Sequence, residues 1–169
     1  RNCGELANII DQGIGEIVTV IGKPFRQIRG LCELVDMIDK NEILIETSGR
    51  LQYEEVQRET LVSVVDRTIL VIKPNVELLD EKNYGWMRKF RINNLYCKFE
   101  WQKTEVATLK YINDFFKLTG LDMSKCMSKS NIIVMPDNIE DKNECKQVWE
   151  TCIKFELRYS ARENRRLYR

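Results

Sequence analysis

Six cysteines are the residues of this chain best suited to covalent chemistry: Cys3, Cys32, Cys97, Cys126, Cys145 and Cys152. Such thiols can cross-link, bind a metal or attack a substrate, and their spacing discriminates among these roles. None forms a C-x-x-C, which removes thioredoxin-type exchange and the common zinc knuckles. The chain has no histidine, so mixed Cys/His zinc sites, Cys–His nucleophiles and Ser-His-Asp triads are excluded. An even, widely separated set is what three disulfides need, and disulfides belong to an oxidising compartment. The reading is therefore three bridges in a secreted protein. Cys145 and Cys152 share one face of a helical segment but stand about 10 Å apart along its axis. That exceeds the roughly 7 Å that a disulfide spans between Cα atoms, so each is expected to bond to another segment.

Other chemistry is thin. There is no GxGxxG, no P-loop and no calcium loop. Acidic residues are too many to nominate a catalytic pair, and Glu54/Glu55 and Asp80/Glu81 read as solvated helix faces. No enzyme, cofactor or metal is expected. Two sets suit binding instead. Arg158, Arg162, Arg165, Arg166 and Arg169 have helical spacing and would form a basic stripe for an extracellular protein or polyanion. Trp86, Phe90, Trp101, Phe115 and Phe116 belong to a dense aromatic run that could line a cavity for an apolar ligand.

Composition sets the frame for these residues. With 43% hydrophobic and 31% charged residues among 169, the chain is globular and of a length for one domain, 1–169. Its net charge of +1 gives no reason to expect nucleic acid. The charge is uneven: residues 1–85 carry 10 basic and 15 acidic side chains, which fits attraction between the two halves. No stretch reaches the about 18 apolar residues of a membrane span. The chain opens on Arg1 without Met, as expected of a product from which a signal peptide has been removed.

Apolar periodicity then predicts helices over 5–21, 25–39, 51–72, 76–97, 103–118 and 140–159. Residues 42–46 fit a helix or a strand equally. Within 51–72 the β-branched second half allows two strands as the rival. Residues 124–138 read as a loop. Superimposing the two 28-residue cysteine intervals reveals no internal repeat. The fold expected is all-α: an irregular bundle of about six helices cross-linked by disulfides. The function expected is non-catalytic binding to an extracellular macromolecular partner, with carriage of a small apolar ligand as the alternative.

Overall fold

Alternation of side chains is the clue that the helical reading passes over. Leu95-Tyr96-Cys97-Lys98-Phe99-Glu100 alternates buried and half-buried residues without a break, and Glu42–Thr47 alternates in the same way from an exposed Glu42. A period of two puts Leu95, Cys97 and Phe99 on one face and Tyr96, Lys98 and Glu100 on the other. Both segments are strands in the computed structural model of the protein. It describes residues 2–13, 17–21, 28–39, 42–51, 64–90, 92, 94–121 and 131–161.

The elements follow one another as α1 (Cys3–Asp11), β1 (Ile17–Ile21), α2 (Ile28–Met37), β2 (Glu42–Thr47) and β3 (Thr68–Ile72). Then come α3 (Glu81–Tyr84), flanked by 3-10 turns, β4 (Leu95–Glu100), α4 (Glu105–Thr119), β5 (Ile132–Met135), α5 (Lys142–Phe155) and β6 (Arg158–Tyr159). The six strands form one sheet in the order β1-β2-β3-β4-β5-β6, and every pairing is parallel. This overturns the all-α bundle. The fold is α/β, because segments too short and too β-branched for stable helices pair with one another instead.

The register is periodic. Ile17 pairs Glu42, Ile43 pairs Thr68, Leu70 pairs Leu95 and Ile133 pairs Arg158, each 25 residues on. Cys97 pairs Ile132, 35 residues on. The chain is thus a succession of strand–helix units, each beside the one before it, with one enlarged unit. The internal repeat rejected from the cysteine intervals exists at a different period. It is visible in the row Val20, Ile45, Leu70, Leu95.

The core lies on one side of the sheet. Val18, Val20, Ile43, Ile45, Leu70, Ile72, Leu95, Cys97, Phe99, Ile132 and Val134 meet Leu31, Val35, Trp86, Tyr111, Phe115, Val148 and Cys152 from the helices in one cluster. Phe99 is its centre, with T-shaped contacts to Tyr111 at 5.2 Å and Phe115 at 5.5 Å.

Local chemistry sets the helix ends. The Asn2 side chain accepts from Glu5 N to start α1, and Thr104 accepts from Ala107 N to start α4. Gly120 stops α4 in the left-handed region at φ 64°, as the sequence predicts. Asp141 caps α5, whose exit is Glu156 at φ 59°. A non-glycine residue there leaves no sequence signal for a stop, so the predicted helix overruns into β6. Helix 5–21 likewise ends early, at Asp11, and helix 76–97 runs into the start of β4. Of the predicted 51–72 helix, residues 52–63 lie outside the described residues, and its end is β3.

No disulfide occurs among the described residues: Cys3, Cys32, Cys97, Cys145 and Cys152 are thiols, and Cys126 lies outside them. The predicted cross-linking is therefore corrected. Cys97 points into the apolar side of β4, and Cys152 packs from α5 in the same cluster. They serve as small apolar core residues, a common fate of buried cysteine. The argument for secretion ran through the bridges and falls with them.

Candidate functional site

All described helices contribute their buried side chains to one face, so the other face of the sheet is left uncovered by them. Sequential parallel order explains this. Crossovers of one hand, all stepping in the same direction, place every helix on the same side. Parallel sheets are ordinarily covered on both faces, so a face that no described helix covers is the feature of this molecule that calls for a function.

That face is organised in rows by the register. Thr19, Leu44 and Ile69 form one row. Ile21, Glu46, Val71 and Tyr96 form the next. Lys98, Ile133 and Arg158 form a third, and Glu100 beside Met135 a fourth. Ile21 is 50% exposed, whereas Val71 is 5% exposed although it lies outside the core cluster. Ile133 and Met135 on the same face are buried as well, at 7% and 5%. Lys98 Nζ reaches Glu46 Oε2 at 2.8 Å, and the two side chains straddle the Val71 strand. A second pair, Lys73 Nζ to Glu100 Oε1 at 2.6 Å, lies further along β3 and β4. Each pair connects two positions that only the strand register brings together.

At the β4–β6 end the face runs into a cavity of about 300 Å³, lined by Tyr96, Asn131, Glu156, Leu157 and Arg158. Asn131 Nδ2 donates to Leu95 O at 3.0 Å, which fixes the amide. No described residue forms an ion pair with Arg158, whose side chain is exposed.

The predicted site residues distribute as follows. Arg158 is a strand residue on β6, not part of a helical stripe, and Arg162, Arg165, Arg166 and Arg169 lie outside the described residues. Trp86, Trp101, Phe115 and Phe116 are buried in the core cluster, with Phe90 packed against it at 6.0 Å from Trp86. Trp86 Nε1 donates to Gly49 O at 2.9 Å, whereas the buried Trp101 Nε1 has no acceptor. None of the five lines the cavity. Tyr96, which does, belongs to the same aromatic run but not to the five nominated residues, and Asn131 was not singled out from sequence. The alternation of 95–100 was the available signal for Tyr96; Asn131 had none.

No three described His, Cys, Asp or Glu side chains converge as a metal site. The buried thiols are poor nucleophiles, because burial pushes Cys32 and Cys152 up to about 11 and Cys97 further. Among the described residues no helix is long and apolar enough to cross a membrane. No protein-family model matches the chain, and no curated protein matches it in sequence.

Proposed function

We propose that this protein is a non-catalytic binding module and that the uncovered face of its sheet is the recognition surface. One observation carries the reading: the described helices cover only one side of the parallel sheet, and its other side presents the exposed Ile21 and the half-buried Leu44 and Ile69 beside the buried Val71, Ile133 and Met135. Partly exposed apolar residues on a sheet face, interrupted by ion pairs, are the composition of a macromolecular contact surface.

The architecture supports the same reading. Solenoids of strand–helix units with periods of roughly 20–29 residues present a continuous strand-lined face to their partners. A helix occupies about 10 Å across the layer and a strand about 4.8 Å, which favours bending of the sheet towards its bare side. The likeness is one of period and layering; no asparagine ladder accompanies it in this sequence.

Panning a random-peptide library on the protein tests the proposal. Enriched peptides are expected to slow hydrogen exchange in β2–β5 and to lose binding to a Leu44→Ser/Ile69→Ser variant whose circular dichroism matches the parent. Peptides that bind both proteins equally, or that protect only the helices, would refute it.

A further inference from the structure

We infer that the cavity at the β4–β6 end of the open face holds an acidic side chain of an extended peptide, with Arg158 as the residue that binds its carboxylate. The inference rests on the reading of the open face as the recognition surface, and adds the chemical class of the partner.

The argument starts from Arg158. Its guanidinium is a planar fork of donors that matches a carboxylate in two parallel hydrogen bonds. Every described basic side chain near it on this face is already matched: Lys98 by Glu46 and Lys73 by Glu100. Arg158 is the exception, and it lines a cavity. Among the described residues, the face therefore has one cationic position open to an anion from outside.

The rest of the cavity distinguishes a peptide from a bare ion. Its volume of about 300 Å³ is far more than a carboxylate needs. Tyr96 and Leu157 supply apolar wall. Asn131 uses its Nδ2 on Leu95 O, which leaves Oδ1 to accept from a peptide N–H. Glu156 also lines the cavity and is engaged in an interaction of its own. Its charge repels an anion, so the ligand carboxylate sits on the Arg158 side. Ile133, between Lys98 and Arg158 in register, continues the apolar floor towards the open face. An acidic residue flanked by apolar ones fits this sequence of groups.

Acetyl-Leu-Glu-Leu amide and its Gln counterpart are the probes. They are titrated into ¹⁵N-labelled protein while the Arg158 Nε resonance is followed, with inorganic phosphate as a separate arm. The Glu peptide is expected to shift that resonance and to bind about tenfold or more tightly than the Gln peptide, the usual scale for a charge-assisted pair. Arg158→Gln should abolish the preference and Arg158→Lys should retain part of it. Equal binding of the two peptides overturns the inference. So does phosphate that saturates the resonance as readily as the Glu peptide, since that marks a simple anion site. Peptides selected on the open face but indifferent to Arg158→Gln would overturn this inference and leave the broader reading standing. An Arg158-dependent Glu preference with no protection of β2 and β3 would do the reverse.

Discussion

Lys98 Nζ lies 2.8 Å from Glu46 Oε2, although the two residues belong to strands separated by β3. The pair joins the first and second halves of the chain across β3. Its side chains are only 19% and 32% exposed, so each is held more firmly than a typical surface ion pair. Neutralising one partner leaves the other partly desolvated. Lys98→Met alone or Glu46→Gln alone is expected to cost about 1–2 kcal/mol, between the values of exposed and buried pairs. The double variant should cost less than the sum, with a coupling of about 1 kcal/mol. Urea unfolding of the four proteins measures it; zero coupling would show that the contact is not maintained in solution.

Gly49 adopts φ 73° just after β2, and a Cβ there would stand 2.6 Å from Ile72 Cγ2. Its carbonyl also receives the Trp86 indole N–H. Gly49→Ala therefore meets both a backbone penalty of about 1–2 kcal/mol and a steric one. The expected loss is about 2–4 kcal/mol, read as a lower denaturation midpoint. A loss below 0.5 kcal/mol, the range of neutral surface changes, would contradict this turn geometry.

Phe99 is fully buried and touches Tyr111, Phe115 and Phe116. Truncation to alanine should cost about 3–5 kcal/mol. If these rings instead enclosed a ligand-filled space, an added apolar ligand would raise the stability of the parent itself. Calorimetry of parent and Phe99→Ala with and without indole separates the cases: the parent is expected to show no ligand-dependent rise.

Alkaline stability should fall between pH 9 and about pH 11. Burial, with Asp36 and Glu33 nearby, pushes the Cys32 thiol from 9.0 to about 11, and burial raises Cys152 to about 11. Below 9 both states hold the proton, so stability does not respond. Above 9 the unfolded thiols ionise while the folded ones stay neutral, so the unfolded state binds fewer protons and stability declines towards pH 11. Cys32→Ala/Cys152→Ala should be less stable at neutral pH but show a shallower decline over that window. An unchanged slope would remove these thiols as its source.

Direct alkylation checks the redox state. Unfolded without reductant, the protein should take up label at Cys3, Cys32, Cys97, Cys145 and Cys152. Peptide mapping that finds any two of these linked would contradict the structure.

At the opposite end of the charge scale, Glu105 titrates lower than usual because Lys154 donates to it at 2.7 Å. That contact joins α4 to α5. Its contribution is present above the ordinary carboxylate range and disappears as pH falls through the lowered value. Glu105→Gln should therefore flatten the acid limb of a stability–pH curve, and an unaltered limb would argue against the pair.

Some of this was decided locally, within a few residues. Thr104 and Gly120 bound α4, and the stripe Val148, Cys152, Phe155 marks α5, because caps and a 3.6-residue period depend on neighbours in sequence. The absence of histidine likewise removes whole classes of catalysis without any coordinates. The strands were another matter. Ile69-Leu70-Val71-Ile72 is apolar throughout and carries no period, so only pairing with β2 and β4 makes it a strand. Even the cysteines, an even set suggestive of bridges, depend on where their Cα atoms fall, which no spacing rule contains. The open face is the furthest from sequence. It exists because six parallel strands add in one direction and send every described helix to the same side, and the Glu46–Lys98 contact and the Arg158 cavity exist only through that register.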